Sequence, residues 1–249
     1  MSNILVTGAN GFIGKNLIKK LKENNEYNIL TFTKNDTSKD LERLIKKSDF
    51  IFHLAGEVKP NSTSQDFINS NVNLTQNIID LLEKNNKSIP ISLASTIHAK
   101  LLKNEYGITK RESEVIVEEY TKKYNQNSFI YRLPHVFGEG CKPNYNSVIS
   151  TWIYNSLHDL DINVFDRSIE MSYVYVQDIV SEFISTINLE SKLNYFEPKY
   201  IYNTTLGEVV DFINEFKKNI NNKDYDIKNN KFKQKLFKTY RDYALKVKR

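Results

Sequence analysis

Apolar residues along this 249-residue chain fall into short runs separated by stretches of helical spacing. Ile4-Leu5-Val6 opens a run predicted as a strand near 3–7, and runs near 28–33, 49–54, 89–94 and 127–133 read the same way. Ile51-Phe52-His53-Leu54-Ala55 and Phe129-Ile130-Tyr131 are almost continuously apolar, as strands covered on both faces should be. Between the runs, Ile13, Leu17, Ile18 and Leu21 mark a helix near 12–24, and further helices are predicted near 38–47, 63–85 and 104–125. Strands alternating with helices predict an α/β fold built on a doubly wound parallel sheet. After about residue 133 the pattern loosens. It predicts a helix near 144–157, short strands near 161–165 and 171–176, and helices near 177–189, 206–221 and 231–246. Asn-Lys-rich turns such as Asn221-Asn222-Lys223 mark loops.

Composition narrows the function class. The net charge is +5, but 35 basic and 30 acidic residues are interleaved, and only Lys231 to Arg249 is plainly basic, which reads as a solvated helix face. No nucleic-acid partner is expected. The single cysteine, Cys141, excludes an internal disulfide framework and fits a reducing compartment. No apolar run approaches membrane-spanning length, and the first is too short for a secretory signal, so a cytoplasmic protein without membrane partner is expected. The four histidines and one cysteine show no metal-ligand spacing, and no metal is expected.

Three of the eight glycines, Gly8, Gly11 and Gly14, stand within seven positions directly after the first strand. A strand-to-helix turn with bare N–H groups and a following helix dipole is suited to a pyrophosphate. The expected organisation is therefore one domain over 1–249. Its dinucleotide-binding core runs to about 140, and about 141–249 forms mainly a small substrate-binding lobe at the carboxyl edge of the sheet. Tyr106-Gly107-Ile108-Thr109-Lys110 sets a phenol and an ammonium four residues apart on one helix face, and the positive charge is expected to lower the phenol's pKa. Tyr195 and Lys199 repeat the spacing, but Pro198 between them argues against a continuous helix. Ser95 and Thr96 end the strand before the first pair, where a hydroxyl can hydrogen-bond a carbonyl about to gain charge.

With Thr7-Gly8-Ala9-Asn10-Gly11-Phe12-Ile13-Gly14, His53-Leu54-Ala55-Gly56, Asn71-Val72, Ser95-Thr96, Tyr106 to Lys110 and Tyr131-Arg132-Leu133-Pro134 in this order, the chain resembles the extended short-chain dehydrogenase/reductase (NAD-dependent epimerase/dehydratase) family, with its Rossmann-like fold. A narrower likeness, carried by Cys141-Lys142-Pro143-Asn144-Tyr145-Asn146-Ser147-Val148-Ile149 and Asp166-Arg167, is to reductases of capsular polysaccharide synthesis. The resemblance implies catalytic Thr96, Tyr106 and Lys110, with Ser95 as the alternative hydroxyl. It implies cofactor contacts from Gly8, Asn10, Gly11, Phe12, Ile13, Gly14, Thr33, Lys34, Leu54, Ala55, Gly56, Asn71, Ser95, Tyr106, Lys110 and Leu133. Candidate substrate contacts are Lys59, in Lys59-Pro60, with His98, His135, Lys142, Asn144, Tyr145, Asn146 and Arg167. His135 stands where the family usually has Asn.

The second strand ends Phe32-Thr33-Lys34 without the acidic residue that accepts from a ribose 2′-hydroxyl, so NADP (as NADPH) is expected over NAD, with Asp36 the dissenting charge. The resemblance implies 4-reduction of a UDP-linked 4-keto-6-deoxy-hexose, UDP-2-acetamido-2,6-dideoxy-hexos-4-ulose, in nucleotide-sugar biosynthesis for a surface polysaccharide or glycan. Relatives of the narrower group carry a C-terminal cupin domain for C3 epimerisation. The expectation is a reductase acting alone, with a cupin-type epimerase and a dehydratase on other polypeptides. The alternatives are a bifunctional 3-epimerase/4-reductase using His98, His135 or Cys141, an NAD-retaining 4-epimerase, and an inactive nucleotide-binding subunit. The Ile97-His98 step after Thr96 lacks the Asp-Glu pair of a 4,6-dehydratase. A homodimer through the helices near 63–85 and 104–125 is implied.

Overall fold

A computed structural model describes residues 1–23, 25–59, 61–190, 192–222 and 225–247. Pro60 and Lys223, named above, and the last two residues of the basic C-terminal run lie outside the described residues. The chain divides into two units: residues 1–133 with 179–198, and residues 134–178 with 199–249.

The first unit holds a six-stranded sheet of order β2-β1-β3-β4-β5-β8, every pairing parallel. Its strands are β1 (Ser2–Thr7), β2 (Tyr27–Phe32), β3 (Phe50–His53), β4 (Ile91–Thr96), β5 (Ser128–Leu133) and β8 (Leu193–Phe196). The helices are α1 (Phe12–Lys22), α2 (Ser38–Lys47), α3 (Ser64–Phe67), α4 (Leu74–Lys84), α5 (His98–Leu101) and α6 (Glu105–Tyr124). A π-helical turn, Ile68–Asn73, joins α3 to α4, so the helix predicted near 63–85 is present but distorted. Both α2 and α3 begin at capping boxes, Thr37 with Asp40 and Thr63 with Asp66, which explains where these helices start. On one side of the sheet Leu5, Ile51 and Ile91 bury against Ile78, Leu82 and Tyr120 of the helices. Aromatic contacts Phe52–Phe183 and Tyr131–Phe183 tie residues 179–198 to the strands. Because the chain runs from β1 to β2 on one side and then to β3 on the other, the β1/β3 edge is the switch point where such sheets bind ligands.

The second unit has a three-stranded sheet of β6 (His135–Phe137), β7 (Glu170–Tyr175) and β9 (Tyr202–Thr205). It also has helices α7 (Val148–Leu157), α9 (Leu206–Asn219) and α10 (Lys231–Val247). Helix α8 (Val176–Ser185) begins in this unit and ends in the first. Phe137, Trp152, Ile213, Phe216, Phe232 and Tyr240 form its core. The strand predicted near 161–165 is absent: Ile162 and Val164 pack on that core without a strand partner, and Phe165 is fully exposed. Residues 193–196, read as lobe from sequence, instead supply the last strand of the large sheet.

Candidate active site

The glycine turn is fixed by contact as well as conformation. Gly8 has φ +67°, and a Cβ there would stand 2.7 Å from the Ala55 nitrogen; a Cβ on Gly14 would stand 2.3 Å from the Gly8 carbonyl oxygen. Only glycine lets β1, the exit of β3 and the start of α1 pack this closely. Gly11, the N-cap of α1, offers no side-chain oxygen to the first helical N–H groups, and the first turn has no acidic residue. Those donors lack intrahelical partners, so the turn fits an anionic pyrophosphate. Asn10 is exposed, and Phe12 and Ile13 are half-buried.

Behind the turn, His53 is locked into one state. The Thr75 hydroxyl donates to the Asn71 carbonyl at 2.5 Å, so it accepts from His53 Nε2 at 2.9 Å. His53 Nδ1 therefore accepts from the Thr7 hydroxyl at 2.8 Å, and Thr7 in turn accepts from the Ala55 N–H. Burial, then the nearby Lys110 charge, holds the His53 pKa at about 3, so the ring is neutral. Asn71, in the π turn, accepts from the Glu57 N–H at 3.0 Å and donates to Thr109 at 3.1 Å, joining the β3 loop to α6. Leu54 and Ala55 are half-buried and Gly56 exposed along that loop. Lys59 is exposed, its N–H bound to the Glu57 carboxylate at 2.8 Å.

The β4 end separates its two hydroxyls. Ser95 donates to the buried Glu114 at 2.6 Å, whereas Thr96 is close enough to Tyr106 to pull the phenol's pKa down. Asn104 caps α6 by accepting from the Gly107 N–H, and Gly107 allows α6 to press on the His98 carbonyl, 2.5 Å from where a Cβ would stand. The Tyr106 ring lies 6.1 Å from both Phe67 and His98, centroid to centroid. Burial pushes the Tyr106 phenol above its usual pKa, against the pull of the Thr96 hydrogen bond. The lowering expected from Lys110 is not seen: burial dominates, and only the Thr96 hydroxyl opposes it. Lys110 is buried and depressed to about 8 by that burial, with Glu114 opposing. Its ammonium lies 3.7 Å from where a Gly56 Cβ would be.

The sequence matches the NAD dependent epimerase/dehydratase family over residues 4–194. The chain belongs to that family. It is 35% identical to the UDP-2-acetamido-2,6-beta-L-arabino-hexul-4-ose reductase of Pseudomonas aeruginosa, over 86% of this chain and 57% of that protein. It resembles the crystal structure of the capsular polysaccharide assembling protein CapF from Staphylococcus aureus at TM-score 0.87 and 35% identity, covering 98% of this chain and 66% of that one. The chain thus spans less than two thirds of either relative. The UDP-glucose 4-epimerase of Thermotoga maritima, at 17% identity and TM-score 0.84 over 98% of this chain and 99% of that one, shares the fold.

At the end of β2, Thr33 gives both its N–H (2.7 Å) and its hydroxyl (2.8 Å) to Asp36. The carboxylate doubted from sequence is therefore turned back on its own loop, and the adjacent Lys34 is exposed with no ion pair among the described residues. Leu133 is buried at the end of β5, where its carbonyl accepts from the Ile97 N–H. The remaining family-matched candidates lie in the second unit. His135 is exposed at the start of β6, and Lys142, Asn144, Tyr145 and Asn146 are exposed before α7. Asn144 has φ +53° and binds Thr151; Ser147, not an asparagine, caps α7. Arg167 is held at 2.7 Å by Asp211 and at 3.2 Å by the Gly207 carbonyl. Cys141 is buried, its carbonyl accepting from Tyr243. Sequence reasoning did not single out Glu114, one of five glutamates on α6 and the one that is wholly buried, nor the bond it makes to Arg132 of the Tyr131-Arg132-Leu133-Pro134 signature.

Proposed function

We propose that this protein is an NADPH-dependent 4-reductase of a UDP-linked 4-keto-6-deoxy-hexose, of the UDP-2-acetamido-2,6-dideoxy-hexos-4-ulose class, in the cytoplasm. The observation that carries the reading is Tyr106 and the buried Lys110 one helical turn apart on α6, with Thr96 close enough to the phenol to pull its pKa down. When bound, the nicotinamide supplies a hydride. Gly8, Gly11 and Gly14 with the first turn of α1 would hold its pyrophosphate, Lys34 a 2′-phosphate, and Lys110 the nicotinamide ribose. Thr96 would orient the ketone oxygen, and Tyr106 would donate its phenolic proton to the alkoxide. A raised phenol pKa suits this direction, because it keeps the acid protonated at neutral pH while an alkoxide remains far more basic. A 4-epimerase must first take a proton from a sugar hydroxyl, for which a phenol raised by burial is poorly prepared.

Lys59 and His98 are the proposed sugar-side groups of the first unit, and His135, Lys142, Asn144, Tyr145 and Asn146 those of the second. Arg167 is a weaker candidate, since it must leave Asp211 to act. The ketone would come from a dehydratase, and we propose a homodimer through α4 and α6. The Tyr106→Phe variant tests the mechanism: cofactor binding persists while turnover falls about a hundredfold or more. Equal turnover in the variant removes Tyr106 as the acid.

A further inference from the structure

Two turns after Tyr106 on α6, Glu114 is wholly buried, and both of its oxygens are engaged. Oε1 accepts from Ser95 Oγ at 2.6 Å and Arg132 Nε at 2.9 Å; Oε2 accepts from Arg132 Nη2 at 2.6 Å and Arg111 Nη1 at 3.0 Å. Ser95 and Arg132 are register partners on β4 and β5, so their side chains leave the sheet on one face and meet the same carboxylate. Two residues back along each strand on that face, Leu93 and Ile130 pack with Val117 of α6 as an apolar cluster. An apolar residue at 114 would continue that cluster, and a buried ion pair contributes less to stability than well-packed apolar side chains of its size. The charged layer begins only at the strand ends, where Thr96 follows Ser95 and Leu133 follows Arg132. On its outer side the Arg132 guanidinium lies 4.2 Å over the Tyr195 ring of β8, and the Tyr195 hydroxyl accepts from Arg111 at 2.6 Å and donates to Glu118.

We propose that Glu114 and Arg132 are positioning residues for the reaction centre: their ion pair fixes the carboxyl ends of β4 and β5 against α6, and so sets the distance between Thr96 on the strand and Tyr106 on the helix. This rests on the reading of Thr96 and Tyr106 as the groups that meet the ketone. Two fastenings run in parallel. Ser95 ties α6 to β4 directly, and the two-point Arg132 fork ties it to β5, which holds β4 in turn through the Ser95–Arg132 and Thr96–Leu133 pairing. Losing the Ser95 hydroxyl alone leaves the strand ends fastened by the fork. Losing the ion pair leaves them joined to α6 by apolar contact, which is non-directional and sets no fixed distance. Burial alone would raise the Glu114 pKa, and its bonds to Arg132, Ser95 and Arg111 more than reverse this, so the carboxylate stays charged.

The test replaces the pair by apolar residues of similar length, Glu114→Met with Arg132→Met, which leaves no unpaired buried charge because Arg111 keeps Glu118 at 2.5 Å. The double variant should melt no lower than the natural protein. Its crystal structure should still show Thr96 Oγ1 and Tyr106 Oη moved apart by about 1 Å, and kcat at saturating keto sugar and NADPH should fall about tenfold or more. Cofactor Kd should not change, since the glycine turn is built from β1, the exit of β3 and α1. A role in stability alone would leave both the distance and kcat where they are. Arg132→Lys, which keeps the charge but not the fork, should fall between the two proteins, and it carries the test if the double variant does not fold. An unchanged Thr96–Tyr106 distance, or a natural kcat, in a folded variant overturns the proposal. A widened distance beside a natural protein that reduces no keto sugar would sink the reductase reading and leave the positioning intact.

Discussion

Acid should destabilise the first unit through one residue, His53. Its ring is buried, neutral and held between Thr7 and Thr75, with a pKa near 3 against an unfolded value of about 6.5. The unfolded chain therefore binds the extra proton first. The stability contributed by the neutral ring is complete above pH 6.5 and is lost as pH falls toward 3. At about 1.4 kcal/mol per pH unit of difference, the loss is about 3 kcal/mol by pH 4.5. Replacing the ring with glutamine keeps a donor toward Thr75 and removes the titration. Denaturant unfolding followed by far-ultraviolet circular dichroism, at pH 7 and pH 4.5, supplies the comparison. The single tryptophan, Trp152, lies in the second unit and would report the wrong region. His53→Gln should be the less stable protein at pH 7 but lose about 3 kcal/mol less on acidification, the carboxylates common to both cancelling. Equal acid losses in the two proteins would refute a neutral, locked His53.

Other outcomes follow from particular contacts. Gly14→Ala puts a methyl 2.3 Å from the Gly8 carbonyl oxygen, so nicotinamide cofactor affinity measured by fluorescence should fall about tenfold or more while the circular dichroism spectrum stays native. Lys34→Glu should move the ratio of kcat/KM for NADPH over NADH toward NADH by about tenfold, since Asp36 already faces Thr33 and does not compete. Ser95→Ala should leave Thr96 in place near Tyr106 and reduce turnover far less than Thr96→Ala, measured at saturating cofactor.

Most of the first unit could be read from its periodicity, because buried parallel strands and amphipathic helices alternate there and the signals are long. Residues whose partners are distant in sequence were harder. β8 pairs with β5 over only four residues, and β6 and β9 over three and four, too short for a periodic signal. Ile162 and Val164 alternate like a strand, yet the neighbouring positions in the three-stranded sheet go to β6 and β9. The glycine turn and the Tyr106–Lys110 pair were visible as local spacing. Which of Ser95 and Thr96 faces the phenol depended on Glu114, nineteen residues away from Ser95, and the phenol's pKa depended on burial that no local pattern reports.

The central claim is tested most directly by supplying a dehydratase-generated UDP-4-keto-6-deoxy sugar with NADPH and following nicotinamide absorbance and sugar products together. The account predicts NADPH consumed one for one with ketone reduced, and no such consumption in Tyr106→Phe. Interconversion of sugars with the nicotinamide absorbance unchanged would contradict it.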